Sequence, residues 1–381
     1  MYRNQPKVGI LGGGQLGKML CMAAMPWHLE ISILDKNRNF PAAPYCHFFS
    51  EGDFTDFHQV LEFGKDKDII TIEIEGVNSK ALHELKEMGK KIFPDPDFLD
   101  TIKDKASQNT FFQEMNLPGP IFESFNSKAD LIRELENTGL DYPFVWKSRF
   151  EGYDGKGVKV IHRPEELNDL PETPCIAEEL VDIKKELAII VSRNANGQIA
   201  VFDPVEMKFD LSANLLDQLV FPADIDRKLQ EEMKKIAESV VKTASYQGIL
   251  AIEFFLDQND RLLVNEVAPR PHNSGHHTIE CCATSQYEQH LRTILNLPPG
   301  NTQGHSKGIM FNLLGEPGYT GPARIEGLED IFTEKNARLH WYGKKETRPY
   351  RKMGHVVLFG DDVRVLSSKA DVLKTKIKIK S

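Results

Sequence analysis

The strongest chemical signal in the chain is an apolar strand, Phe144-Val145-Trp146, that ends in Lys147. It runs on into a loop holding Gly152, Tyr153, Asp154, Gly155, Lys156 and Gly157, and a second strand starts at Val158. Three glycines so close together exceed what one turn requires. A loop of this composition between two strands can fold over a triphosphate, while the lysine on the strand neutralises its charge. Further on, Cys175-Ile176-Ala177-Glu178-Glu179-Leu180-Val181 places an acidic pair in an apolar strand. Such a segment can offer backbone donors and acceptors to an adenine ring; a strand running into solvent explains it equally well.

A second constellation lies between Gly248 and Val267. Gly248 to Leu256 reads as a buried strand carrying Glu253, and Arg261 to Val267 returns with Asn265 and Glu266. A two-residue turn at Asn259-Asp260 sets Glu253 opposite Glu266. Facing carboxylates are destabilising unless a cation lies between them. Oxygen ligands without His or Cys suit magnesium bridged to substrate phosphates, and the competing explanation is one Glu paired with Arg or Lys across the sheet. Directly downstream, Arg270, Asn273, Ser274 and His276 form a polar cluster that fits anion binding better than zinc, since His276-His277 lacks a partner at zinc spacing. The densest basic patch runs from Lys344 to His355, where Arg348 and Arg351 at a proline turn can grip a phosphate monoester or simply face solvent.

The third constellation is Gly12-Gly13-Gly14-Gln15-Leu16-Gly17, between a strand and a helix, with Asp35 18 residues beyond Gly17. This is the dinucleotide fingerprint in its expected context. The spacing establishes an anion site at a helix N-terminus rather than which anion, and a nicotinamide cofactor is one occupant.

The elements that must position these residues are legible in outline. From Lys7 to about Pro96 strand and helix patterns alternate, which predicts a parallel sheet with crossover helices. A helix over about Thr101–Met115 carries Lys105. Beyond Pro120 the strands become antiparallel: two around 186–208 joined by an Asn196-Gly197 turn, then an amphipathic helix over about Ile225–Tyr246, then the Gly248–Val267 hairpin. From Gly300 short strands alternate with glycine turns. The expected fold is α/β, α+β overall, in three domains: residues 1–100 with a Rossmann-like parallel sheet, 101–300 with antiparallel sheets and helices, and a small, mostly β domain over 301–381.

A net charge of −9, with no unbroken cluster of five or more basic residues before the tail Lys374–Lys380, argues against nucleic acid. No apolar run is long enough for a membrane span, and the strand starting at Lys7 is expected to leave no room for a signal peptide. Five cysteines without C-x-x-C spacing predict reduced structural thiols and a cytoplasmic protein.

Along nearly its whole length the chain resembles the ATP-grasp 5-(carboxyamino)imidazole ribonucleotide synthases. The resemblance is carried by ILGGGQLGKM, the EGYDGKG loop, VNEVAPRPHNSGH and RPYRKMGH. It implies ATP, magnesium, bicarbonate and 5-aminoimidazole ribonucleotide as reactants, a homodimer, and a lid over about 120–185. By the same resemblance Lys105, Lys147, Gly152 to Val158, Glu178 to Val181, Glu186, Asn265 and Glu266 contact the nucleotide. Glu253 and Glu266 bind the metal. Gly14, Gln15, Leu16, Glu75, Tyr153, Asp154, Lys156, Asn273, Ser274, Lys345, Arg348, Arg351 and Lys352 line the ribonucleotide site. Asp154 is then base or orienter for the exocyclic amine, with Lys352 and Arg351 stabilising oxygens. The chain departs from the family pattern at Glu151, usually glycine, and at Glu206-Met207-Lys208-Phe209-Asp210, where many members carry a histidine near the nucleotide. Three rivals stay open: a nicotinamide-dependent dehydrogenase, a formate-dependent glycinamide ribonucleotide transformylase, and a nucleotide-binding protein without activity.

Overall fold

The computed structural model describes residues 5–150, 157–210 and 215–381, without the side chains of Asp210 and Leu215. Strands β1 (Val8–Leu11), β2 (Ile31–Asp35), β3 (Phe48–Glu51), β4 (Ile69–Ile72) and β5 (Lys91–Phe93) form a parallel sheet in the order β3-β2-β1-β4-β5. Strands β1, β2 and β4 are buried along their whole length, as a parallel sheet covered on both faces requires. Helix α1 (Gln15–Ala24) lies on one face, together with the distant helix Gln286–Ile294. Tyr287, Leu291 and Ile294 share a core there with Val8, Ile10, Ile31 and Leu20. Helices α2 (Phe57–Gly64) and α3 (Ser79–Glu87) cover the other face.

The helix expected over Thr101–Met115 is two helices, α4 (Pro96–Lys103) and α5 (Lys105–Glu114), broken at Asp104. Asp104 is extended (φ −107°, ψ 112°) and its carboxylate accepts the Ala106 N–H, the Asx capping preference winning over helix continuation. Lys105 is therefore the first residue of α5.

The second sheet is antiparallel and four-stranded. It contains β6 (Phe122–Phe125), β7 (Phe144–Ser148), β8 (Val158–Ile161) and β9 (Cys175–Glu179) in the order β6-β9-β7-β8, with α6 (Lys128–Glu134) alongside. A larger sheet follows, built from β10 (Ile183–Arg193), β11 (Ile199–Val201), β12 (Val205–Asp210), β13 (Leu215–Phe221), β14 (Gly248–Asp257), β15 (Leu262–Ala268) and β16 (Lys307–Leu314). The turn at Asn196-Gly197 forms as expected, with Gly197 at φ 78°. The returning strand is split around Pro204, which has no N–H for the ladder, so β11 and β12 pair separately with β10. Helix α7 (Arg227–Thr243) is capped by Asp226 and lays Met233, Ile236, Ala237, Val240 and Val241 on Leu187, Ile189, Leu250 and Ile252.

The long C-terminal strands join the large sheet, and only two short pairs, Gly321–Pro322 with Glu346–Thr347 and Arg324–Glu326 with Lys378–Lys380, stand apart from it. β16 pairs with β13, the strand Lys352–Gly360 pairs with β16, and Ala337–Trp341 closes the edge. The boundary expected near residue 300 thus falls within one continuous hydrogen-bonded layer, whose outer part is covered by the helix Val363–Lys376. All five cysteines are unpaired, and among the described residues no helix is long and apolar enough to cross a membrane.

Candidate active site

The β14–β15 hairpin sets the centre of the site. Its turn is one residue longer than expected. Asp257 N–H donates to the Arg261 carbonyl at 3.0 Å, and the three residues between end on Asp260 in the left-handed region (φ 59°). Continued unbroken from that turn, the ladder would put Asn265 opposite Glu253 and aim Glu266 at the core under α7. A β-bulge at Asn265 restores the facing pair: Phe254 opposes Val264, then Glu253 opposes Glu266. Val264 and Val267 both return to the core, so Asn265 and Glu266 between them share the cleft.

Two lysines answer them. Lys105 Nζ, from the start of α5, lies 3.4 Å from Glu266 Oε2, and Lys147 Nζ, from the end of β7, lies 3.4 Å from Asn265 Oδ1. Lys147 also sits 2.5 Å from Glu178 Oε2 on the neighbouring β9, whose other oxygen accepts from Asn109 at 2.8 Å. Beside Lys147, Arg149 makes two bonds to Asp104 at 2.9 and 2.5 Å, and its carbonyl accepts the Lys105 N–H at 3.0 Å. One partly buried ion pair thereby fixes the two lysine-bearing elements to each other.

Carboxylate charge in the cleft exceeds what these lysines balance. Burial and the neighbouring Glu266 push Glu186 up to about 7. Burial, then Glu266 and Glu186, hold the Glu253 carboxyl well above the usual range, although Lys352 and Arg270 pull the other way. Burial works to raise Glu266 too, but Lys105, Lys147 and His272 outweigh it and keep this group below its ordinary value. Protein surrounds Glu266 on most sides, yet 46 % of its side chain faces the open cleft. Among the described residues no three His, Cys, Asp or Glu side chains converge as a complete metal cage.

The remaining predicted residues fall in three places. Gly152, Tyr153, Asp154, Gly155 and Lys156 lie outside the described residues. Gly157 (φ 77°) and Val158 close the base of that loop, where Val158 pairs with Lys147. Glu179 and Val181 are half-buried, and Leu180 is exposed beyond β9. Phe209 packs half-buried against the core at Met207 and Leu216.

Among the residues expected to line the ribonucleotide site, Glu75 Oε1 meets Arg270 Nε at 2.8 Å and Asn273 is half-buried. Ser274 is buried, with its hydroxyl 2.9 Å from His272 Nδ1. Lys352 acts electrostatically on Glu253. Lys345 bonds Asn39 of the first domain at 2.6 Å, and burial together with Arg348 holds the Arg351 guanidinium below its ordinary value. Two guanidinium groups that repel each other at a partly exposed turn suit a phosphate between them.

The first glycine loop is settled differently. Glu73 accepts the Gly14 and Gly17 N–H groups at 2.5 and 2.8 Å, and Asp35 accepts the Gly13 N–H at 2.7 Å. The donors of the fingerprint are consumed by the protein's own carboxylates, and a Cβ at Gly14 would lie 2.4 Å from Glu73 Oε1. The nicotinamide alternative loses its phosphate site. Leu16 is a core residue, so only its backbone can face a ligand, whereas the Gln15 side chain is half-buried. Sequence reading passes over Glu73 and over His272, whose Nε2 is 3.5 Å from Glu253. The signal for Glu73 was the Glu-x-Glu repeat at the end of β4.

Comparison with known proteins agrees with this geometry. A ribonucleotide synthetase preATP-grasp domain matches residues 5–103, an ATP-grasp domain residues 110–287, and a phosphoribosylaminoimidazole carboxylase C-terminal domain residues 308–369. The N5-carboxyaminoimidazole ribonucleotide synthase of Synechococcus elongatus is 37 % identical over 92 % of this chain and 89 % of its own length. A chloroplastic phosphoribosylaminoimidazole carboxylase of Vigna aconitifolia is 35 % identical over 96 % of this chain, which spans only 66 % of that protein. Among solved structures, N5-carboxyaminoimidazole ribonucleotide synthetase from Thermotoga maritima superposes with a TM-score of 0.91 at 38 % identity, covering 99 % of this chain and 100 % of that one. The N5-carboxyaminoimidazole synthase of Aspergillus clavatus, in complex with ADP and 5-aminoimidazole ribonucleotide, gives 0.87 at 29 % identity, with 98 % of each chain covered. With its three matched domains in this order and the facing glutamates at their junction, the chain belongs to the N5-carboxyaminoimidazole ribonucleotide synthase family of ATP-grasp proteins.

Proposed function

We propose that this chain is a ligase of purine biosynthesis that carboxylates 5-aminoimidazole ribonucleotide on its exocyclic amine, consuming ATP and bicarbonate and releasing ADP and phosphate. The observation that carries the reading is Glu253 facing Glu266, with Lys105 3.4 Å from the latter.

Two facing oxygen donors, Glu253 and Glu266, whose charges oppose each other, fit a hard divalent cation. Glu253 and Glu266 would hold magnesium, which neutralises phosphate charge when the nucleotide is bound. Lys147 and Lys105 exchange Glu178 and Glu266 for phosphate oxygens, and the apolar surface at Leu180 accepts the adenine ring. A bicarbonate oxygen attacks the γ-phosphorus as its bond to ADP breaks, which leaves carboxyphosphate. The exocyclic amine attacks the carboxyl carbon, and phosphate departs. Asp154 accepts the amine proton or orients the amine, while Lys352 and Arg351 balance charge on carboxylate or phosphate oxygens. The protein works as a cytoplasmic homodimer.

The test is ADP release from the purified protein at saturating bicarbonate, with and without aminoimidazole ribonucleotide. The expected result is release that requires both. Equal release with formate and glycinamide ribonucleotide would replace this reading by the transformylase.

A further inference from the structure

Behind the ribonucleotide side of the cleft three imidazoles are stacked. The register of the strands Ala337–Trp341 and Lys352–Gly360 sets His340 opposite His355, and their rings lie 4.4 Å apart at an angle of 9°. His276, two residues beyond Ser274, covers the other face of His355 at 4.4 Å and 22°. Each ring is fixed by one more bond. His276 Nδ1 lies 2.8 Å from the Tyr287 hydroxyl, His355 Nδ1 lies 2.9 Å from the Tyr342 hydroxyl, and His340 Nε2 lies 2.7 Å from Glu280 Oε1. Tyr287 and Tyr342 belong to the core beneath the first sheet, so all three domains meet at this column. The charged and titratable groups that act on it from the surrounding elements are Glu280, Lys18, Lys352, His272 and His277.

The column keeps two buried polar atoms without a hydrogen-bond partner, His355 Nε2 and Glu280 Oε2. Buried polar groups left unpaired weaken a fold, and an apolar pair would fill the space without that loss. Flat rings in register supply a stiff spacer between two segments that must not shift. One segment, residues 272–277, carries Asn273; the other is the strand that starts at Lys352.

We propose, on the reading of the cleft given above, that His276, His355 and His340 form a positioning column for the ribonucleotide: by tying residues 272–277 to the Lys352 strand they set the spacing of Asn273 and Lys352. None of the three acts on the reacting atoms. The column bears directly on the ribonucleotide half of the site, and reaches the nucleotide half, built on α5, β7 and β14–β15, only through the longer-range action of Lys352 and His272 on Glu253.

The test is steady-state ADP release by the full-length protein, with the ribonucleotide and ATP titrated separately. His355→Ala is expected to raise the KM for the ribonucleotide about tenfold while the KM for ATP stays within about twofold. His355→Phe, which keeps a flat ring in the stack, recovers most of that loss. His340→Ala, at the partly exposed edge of the sheet, shifts the same constant in the same direction, and decides the matter if His355→Ala does not fold. An unchanged ribonucleotide KM, an equal rise in both constants, or no recovery with phenylalanine overturns the column. Absence of ribonucleotide-dependent ADP release from the unsubstituted chain overturns the functional reading instead, and the column's purpose with it.

Discussion

Glu253, Glu186 and Glu266 differ in what surrounds them, and the difference assigns their tasks. Glu266 has two ammonium groups nearby and stays ionised, whereas Glu253 and Glu186 are driven toward the neutral form by burial and by Glu266 itself. Glu266→Ala is expected to lower magnesium-dependent ATP cleavage about 100-fold or more, measured as ADP release; an unchanged rate and magnesium requirement would remove the metal assignment. A second expectation concerns the protein without ligands. Because the Glu186 carboxyl moves from 4.5 to about 7, the folded chain binds a proton over that interval that the unfolded chain does not. Its stability from this group therefore increases as pH falls from about 7 toward 4.5. Glu186→Gln should be more stable than the parent at pH 7.5 by on the order of 1–2 kcal/mol, and equal to it near pH 4.5. Chemical denaturation at both pH values checks this, and an identical difference at the two would refute it.

The elements that hold these side chains depend on small local choices. Asp104 ends one helix, caps the next and grips Arg149 with both oxygens, so three functions rest on one carboxylate. Asp104→Ala should cost about 2 kcal/mol in denaturant unfolding, through the lost cap and a half-buried guanidinium left without its partner, and should raise the KM for ATP by releasing Lys105 and β7 from each other. A loss below about 1 kcal/mol would show the latch to be ornamental. Such details mark where sequence reading stops. Element types and the Glu253–Glu266 pair were legible, because strands, turns and amphipathic helices follow from apolar period and glycine placement. The route to that pair was not: the turn is longer, and a bulge compensates. Neither leaves a period-2 signal, since a bulge is one residue in an otherwise regular strand. The break at Asp104 was equally hidden, because a side chain capping its own backbone leaves the apolar period unchanged, and its other partner, Arg149, is distant in sequence. The occupancy of the first glycine loop needed a carboxylate from β4 that no local motif connects to it.

At the scale of the molecule, the continuous sheet from β15 to the C-terminal strands makes the last 75 residues part of the structure that carries the site. Removing residues 307–381 would bare the edge of β13 and expose Val220, which now packs against Ile309 and Phe311. Chain ended at residue 306 is expected to be insoluble or aggregated, and limited proteolysis of the full protein should release no folded C-terminal fragment. A soluble, monodisperse fragment ending at 306 would contradict this. The carboxylate of Glu73 has a consequence on the same scale. In dinucleotide-binding modules the glycine turn is shaped by a visiting diphosphate and has a filled and an empty state. Here the guest is covalently part of the host, so the first sheet and α1 have only the filled state. The part of the proposed ribonucleotide site that this sheet contributes, Gly14 to Leu16 and Glu75, is thereby set before any substrate arrives.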